Sequence, residues 1–164
     1  MDDRLLSIYL NDHLGGAMTG RELATRCRSR NEGTKLGRFL DRLLAEIEED
    51  RATLAGLIDR LDLRRDPLKP VLGWSTEKLL RMKPNGRIPL VAYSPLMRLQ
   101  ELELLSIGIE GKRLMWLALA ALADRDQRIH RQQMERFAAR AERQREELER
   151  HRLSAARLAL AEAV

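Results

Sequence analysis

The sequence predicts an all-α protein, built as a four-helix bundle with one long connection between two helical hairpins. The 164 residues are dominated by Leu, Ala, Arg and Glu, with only 4% aromatic residues, a composition typical of helices and not of sheets. Apolar residues recur at three- and four-residue steps in four long segments, which is the helical period. All five prolines fall between residues 67 and 95, which places the long connection in the middle of the chain.

The first hairpin is predicted over residues 3–62. Its first helix runs from Asp3 to about Arg28, and the turn that follows ends at Thr34, a suitable N-cap for the second helix. The second helix has the clearest apolar stripe in the chain. Only one of the eight stripe positions is polar, Asp50, and the full set is Leu36, Leu40, Leu43, Ile47, Asp50, Leu54, Leu57 and Leu61.

A crossover over residues 63–94 is predicted to contain one short helix, Ser75 to about Met82. Ser94-Pro95 combines an N-cap with proline at the first helical position, which predicts a third helix from there to Leu122, broadly apolar and therefore central. A break near Asp124 precedes a fourth helix from about Asp126. This second hairpin, 95–164, completes a single domain over 1–164.

The length of the crossover predicts the direction of the helices. A helix of 26 residues is about 39 Å long at ~1.5 Å per residue. Because residues 63–94 can span that distance, helices two and three are predicted to run parallel to each other.

Two resemblances follow from particular residues. Leu5-Leu6-Ser7-Ile8 recurs as Leu104-Leu105-Ser106-Ile107, and two hairpins joined by one long crossover resemble the ferritin-like superfamily. Three further phrases, followed by Tyr93-Ser94-Pro95, resemble an uncharacterised actinobacterial helical-bundle family over most of residues 1–122; they are Tyr9 to Gly16, Glu46 to Leu54, and Lys83 to Arg87. That family brings no known activity with it.

The ferritin-like resemblance implies a test for a metal site. Metal-binding members take one Glu from each of two helices and a Glu-x-x-His pair from each of the other two. The nearest matches here are Glu46-x-x-Glu49 and Gln127-x-x-His130, and neither is Glu-x-x-His. The sequence therefore predicts no competent metal site and no cofactor.

A polar layer inside the bundle is predicted in place of a metal site. Helical register places Asp12 and His13 level with Glu49 and Asp50, and Glu110 is a further candidate member. With the second turn near residue 124, Glu110 is predicted level with Phe137 and Ala138 of the fourth helix, and His130 beside Leu117. A buried carboxylate is costly unless it is paired. We expect His13, or an arginine such as Arg51, to be the partner of Asp50.

The basic excess lies in one segment. Lys and Arg outnumber Asp and Glu by 30 to 25, and residues 60–87 contain the whole imbalance, with eight basic residues against three acidic ones. A solvated loop is one interpretation of this segment. Binding of an anionic partner is the other.

The sequence gives little support for a catalytic nucleophile or another catalytic residue. The single cysteine, Cys27, lies among arginines that could lower its thiol pKa, but a lone Cys on an apolar stripe is more often packing. His151 is expected to be solvated, and no catalytic residue is assigned. The fourth helix is nearly all charged from Arg140 to Arg152, so we expect it to pair with a second subunit or to project as a solvated rod, with its last turns docked or frayed.

These observations favour a non-enzymatic interaction or structural protein, as a homodimer in the cytoplasm, with no transmembrane segment. A peripheral binder of anionic lipid or nucleic acid, acting through residues 60–87, is one alternative. The other is a divergent ferritin-like metal-binding protein, whose ligands would come from Asp12, His13, Glu46, Glu49, Asp50 and Glu110.

Overall fold

Four long helices contain most of the residues that the structure, a computed structural model, describes, namely 2–64 and 93–161. In chain order they are α1 (Asp3–Arg30), α2 (Lys35–Arg60), α3 (Pro95–Leu122) and α4 (Arg131–Leu160). Residues 2–64 and 93–161 contain no strand, and the prediction of an all-α four-helix bundle is confirmed. The short helix predicted over 75–82, and nearly all of the crossover, lie outside the described residues.

The predicted helix starts at Thr34 and Ser94 are confirmed. The Thr34 hydroxyl accepts a hydrogen bond from the backbone N–H of Gly37, and the Ser94 hydroxyl accepts one from Met97. Each satisfies a backbone donor that has no partner within its helix. The α1–α2 turn is tight enough to need Gly33, whose φ of 73° lies in the left-handed region.

The fourth helix begins at Arg131, five residues later than the sequence predicts. Asp126 accounts for the difference, because its carboxylate accepts the backbone N–H of Arg128 and its carbonyl accepts the N–H of Ile129. This local turn competes with helix formation, as short Asp side chains often do. Ile129 is buried, so the link between α3 and α4 packs against the bundle.

Ion pairs between helices show the direction in which each helix runs. Along α2, Arg42 pairs with Glu147 and Glu49 pairs with Arg140, so α2 and α4 are antiparallel. Helix α3 is antiparallel to α4 too, as three pairs show: Glu103 with Arg152, Glu110 with Arg145, and Arg113 with Glu142. Helices α2 and α3 therefore run parallel, as predicted.

The core is divided into two apolar clusters along the bundle. All eight stripe positions of α2 are buried. Leu40 and Leu43 belong to one cluster, together with Leu102 and Leu148, whereas Leu57 belongs to the other. The second cluster is built around aromatic and aliphatic side chains, including Leu10, Ile58, Trp116, Leu119 and Met134. Asp50, also buried, lies between the two groups of α2 residues.

Helix α4 packs along α3, so the expectation that it projects as a solvated rod is wrong, whereas its expected pairing with a second subunit stays a prediction. Small side chains make this possible, because Ala138, Ala141 and Ala155 are buried and let a charged helix approach its neighbour. The charged residues on either side then reach across to α3. The small side chains add to the packing of Met134 and Leu148, which are fully buried on the same helix.

Helix α3 is only partly central. Its inner face buries Leu102, Trp116 and Leu119 completely, but its outer face leaves Ile107 and Leu114 about half exposed, at 51% and 52%. Among the described residues, no helix is both long and apolar enough to cross a membrane.

The α1–α2 turn makes Gly37 indispensable. A Cβ at Gly37 would lie 2.3 Å from the backbone oxygen of Asn31, whereas a Cβ at Gly56 would meet nothing within 4 Å. We expect Gly37→Ala to lower the free energy of unfolding by about 1–3 kcal/mol. Gly56→Ala, the matched control, should raise it by up to ~1 kcal/mol through helix propensity. Urea denaturation measures both, and equal effects of the two variants would contradict the close approach at Gly37.

Candidate functional site

The most unusual feature of the interior is a buried ionic layer at mid-height. We use "ionic layer" for Asp50 of α2, Lys112 of α3 and Arg140 of α4. Lys112 Nζ lies 2.5 Å from Asp50 Oδ2, and an Arg140 guanidinium nitrogen lies 2.5 Å from Asp50 Oδ1. The side chains of Asp50, Lys112 and Arg140 are 6%, 16% and 16% exposed, respectively. One buried carboxylate thus joins three helices.

Each member of the ionic layer lies where its helix faces the core. Asp50 is a position of the α2 stripe, and Lys112 follows buried Ile109 by three residues and precedes buried Trp116 by four. Arg140 precedes buried Ala141. Long side chains allow this, because methylene groups pack among apolar neighbours while the charged ends meet.

Two carboxylates at the edge of the layer, Glu49 and Glu46, also accept hydrogen bonds. Arg140 donates to Glu49 with one nitrogen and to Asp50 with another, and its guanidinium lies 4.7 Å from the Phe137 ring centroid. One turn along, Gln144 donates to Glu46 at 2.5 Å. Glu46, Glu49 and Asp50 of α2 are therefore held by side chains of α3 and α4.

Burial in the ionic layer changes the pKa of Lys112. Desolvation lowers the pKa of Lys112, and the charge of Asp50 opposes that effect. Both oxygens of Asp50 accept hydrogen bonds from charged donors, so each oxygen already has a partner within the chain. Asp50 is therefore poorly suited to accept a proton from a substrate or to bind a metal ion. In the described ranges, no group of three or more His, Cys, Asp or Glu residues is placed to hold a metal.

The predicted cluster of Asp12, His13, Asp50 and Glu110 does not assemble. Asp50 is buried as expected, but Asp12 is exposed. His13 packs edge-on against Tyr9 of its own helix, with ring centroids 4.6 Å apart. Glu110 pairs with Arg113 and Arg145, and the Arg113 hydrogen bonds, with help from Arg145, lower the pKa of Glu110 to about 2.

The expected partners of Asp50, His13 and Arg51, are also wrong. Arg51 pairs with Glu48 instead. Register explains why His13 is too far away: Arg28 pairs with Asp41 and Arg21 pairs with Glu48, so Asp50 lies level with a part of α1 more than one helical turn beyond His13.

The late start of α4 corrects the other register prediction. Placing the break near Asp124 aligned Glu110 with Phe137 and Ala138, but in the structure Glu110 meets Arg145, two turns further along α4. His130, predicted beside Leu117, is instead the exposed N-cap residue of α4 and makes no side-chain cap hydrogen bond.

A second polar cluster, at the end of the bundle where α3 begins, was not predicted. Glu101, 3% exposed, accepts hydrogen bonds from Arg30 at 2.6 Å and from the Tyr93 hydroxyl at 2.9 Å. Asn31 donates to the same hydroxyl. The guanidinium groups of Arg30 and Arg98 each lie 5.2 Å from the Tyr93 ring centroid. This cluster fastens the start of α3 to the end of α1.

Cys27 belongs to this second cluster and is not a nucleophile. Its side chain is fully buried, its sulfur lies 3.8 Å from the Tyr93 hydroxyl, and burial, with the charge of Glu101, raises the pKa of the thiol to about 12. Of the arginines near Cys27 in sequence, Arg28 points away to Asp41, and Arg30 pairs with Glu101.

His151 was expected to be solvated and is instead half-buried. Its ring lies 5.4 Å from that of Phe39, and burial lowers the pKa of the imidazole. It thus contributes packing between α2 and α4.

One signal could have found the missed residues. Glu101 and Lys112 fall on the inner face of α3 that also contains Leu105, Ile109 and Trp116, and Gln144 falls on the inner face of α4. A charged residue at a core position implies a buried partner. The identity of that partner is not local information, and no spacing rule supplies it.

The basic segment 60–87 lies mostly outside the described residues. Arg60 and Arg64 are described, and both are exposed. The backbone oxygen of Arg64 accepts hydrogen bonds from Ser7 and Asn11, which attach the start of the crossover to α1.

Comparison of the chain with models of protein families, with curated proteins and with solved structures finds no match.

The ionic layer predicts a large and specific stability effect. Asp50→Ala should lower the free energy of unfolding by about 3–5 kcal/mol, because Lys112 loses its counter-charge inside the bundle and Arg140 loses the less exposed of its two carboxylate partners. Glu49→Ala is the matched control: it removes a carboxylate that also binds Arg140 but is 61% exposed, so the loss should stay below about 1 kcal/mol. Chemical denaturation at neutral pH compares the two. Similar small losses would mean that solvent reaches the layer.

The environment of Cys27 predicts an unreactive thiol. In the native protein at pH 8, alkylation by iodoacetamide should be slower than in urea by a factor on the order of a hundred or more, given the raised pKa and full burial. A Cys27→Ser, Ala52→Cys variant, with its thiol at an exposed site of α2, should react rapidly under both conditions. Mass spectrometry follows the labelling. Rapid native modification of Cys27 would contradict its assigned packing role.

Proposed function

We propose that this protein is a non-enzymatic helical-bundle interaction protein, acting through the outward face of α3. The observation that carries the proposal is the exposure of Ile107, Leu114 and Leu117, at 51%, 52% and 41%, on one face of a single helix. Contiguous exposed apolar surface on a folded protein commonly marks a site of association.

The state of the interior charges supports a binding role over a catalytic one. Asp50 is bound by two cations and Glu101 by Arg30 and Tyr93. Glu110 is bound by two arginines. Catalytic acids and bases need an accessible lone pair or proton near the reacting atoms, and these side chains are occupied by partners within the chain.

The alternative of a divergent ferritin-like metal-binding protein has less support. Its required carboxylates Glu46, Glu49, Asp50 and Glu110 are each hydrogen-bonded to a side chain of α3 or α4. A metal ion would have to displace those partners. The proposed setting is a reducing cytoplasm, which suits Cys27 as a buried free thiol.

A photo-crosslinking amino acid at position 114 tests the proposed function. In cells, it should give a discrete crosslinked product that the same residue placed at Ala52, exposed on α2, does not give. No discrete product at 114 would overturn the interaction function. Stoichiometric iron, manganese or zinc in the purified protein, lost in Asp50→Ala, would also overturn it in favour of the metal-binding alternative.

A further inference from the structure

The outward face of α3 contains a stripe of apolar and small side chains, interrupted by Glu110, which is 30% exposed and paired with Arg113 and Arg145 of its own chain. We define the α3 stripe as Ile107, Gly111, Leu114, Leu117, Ala118 and Ala121. All but Gly111 are exposed, and Gly111 is partly exposed. The stripe extends over roughly 21 Å of helix at ~1.5 Å per residue.

Gly111, within the stripe, is not required by packing within the chain. A Cβ at Gly111 would meet nothing within 4 Å, yet a glycine inside a helix costs about 1 kcal/mol relative to alanine. Beside Gly111, a groove of about 570 Å³ runs between α3 and α4, with Ile107 and Leu114 among its lining residues. Glycines at an open groove permit close approach of a second helix.

We infer that a second copy of this chain binds the α3 stripe, with the two α3 helices antiparallel about a two-fold axis at Leu114. This inference rests on the proposed interaction function and identifies its partner. A two-fold interface requires a surface complementary to itself, and the α3 stripe has that property in both size and charge.

Side-chain size is complementary about Leu114. In an antiparallel pair centred there, position 107 faces position 121 and position 111 faces position 117. Ile107 therefore meets Ala121, and Leu117 meets Gly111, in both directions. Large side chains facing small ones let two helices interdigitate. Leu117 of the second copy would thus enter the groove beside Gly111.

Charge is complementary at the two ends of the stripe. Glu103 precedes the stripe and is 49% exposed, even though Arg152 of its own chain approaches it to 3.6 Å. Arg125, also exposed, follows the stripe just beyond the end of α3. Antiparallel pairing brings Glu103 of each copy toward Arg125 of the other, so the interface gains two opposite-charge contacts.

The rim of the groove favours a protein surface over an anionic membrane. Helix α4 contributes Arg145, Glu146 and Glu149 to the groove lining, so both signs of charge border the apolar floor. An anionic lipid surface would be repelled by the two carboxylates.

Sedimentation of the full chain over a range of concentrations tests the assembly. Wild type should reach the mass of two chains, and Leu114→Asp should raise the dimer dissociation constant at least ~100-fold, because two carboxylates meet at the axis in an apolar contact. Met18→Asp, which alters a side chain 53% exposed on α1, is the matched control and should leave the constant unchanged. Circular dichroism checks that both variants fold.

Charge exchange and cysteine pairing test the register. Glu103→Arg and Arg125→Glu should each weaken the dimer about tenfold, and the double variant should recover it. In a Cys27→Ser background, Leu114→Cys should form a disulfide between copies on mild oxidation, since residues on the axis face each other within disulfide reach. Ile107→Cys, which faces Ala121, should not.

Each outcome separates this inference from the proposed function. A monomer at all concentrations, or a dimer insensitive to Leu114→Asp, overturns the inference. If the crosslinker at position 114 then captures a different protein, the interaction function stands and the partner is another chain. If it captures nothing, both fail.

Discussion

The buried charge of Asp50 is the constraint on which the arrangement of this bundle depends. A carboxylate that is 6% exposed must be neutralised, and its two partners come from α3 and α4. Three helices therefore share one fixed height at which Asp50, Lys112 and Arg140 meet. Apolar packing alone tolerates sliding and rotation of helices, whereas a buried ion pair does not, because any other register leaves charge without a partner. We interpret the ionic layer as a device that specifies register.

The ionic layer also explains why the core has two parts. Ile47 and Ile109 lie on one side of the layer, and Leu54 and Met115 lie on the other. A different set of contacts covers the outer end of each apolar cluster. One end has the Glu101–Tyr93 cluster, and the other has the link that buries Ile129. The termini of the helices are thus fastened by local contacts, and the middle is fastened by charge.

What the sequence predicted well is local in origin. The α2 stripe, the caps at Thr34 and Ser94, and the directions of the helices depend on spacing and on connection length, which a single sequence contains. The α4 start was missed because the turn at Asp126 competes with the helix locally, and that error shifted every height inferred along α4. The partners of Asp50 were missed because Lys112 and Arg140 are distant in sequence, and nothing local distinguishes a buried cation from a solvated one.

The ionic layer and the α3 stripe both follow from the orientation of α3 about its own axis. Lys112 faces inward to Asp50, so Leu114, two residues on, must face outward. Turning α3 to bury Ile107 and Leu114 would gain roughly 1.5–3 kcal/mol, since each is already half covered and full burial is worth about 1.5–3 kcal/mol per side chain. It would also separate Lys112 from Asp50, which costs about 3–5 kcal/mol. The cost of separating the ion pair is the larger of the two free energies. Within one chain, α3 therefore cannot bury its outer face without breaking the contact between Lys112 and Asp50. In the proposed dimer, a second copy would cover the stripe and leave the ionic layer intact, so association buries the outer face of α3 without separating Lys112 from Asp50.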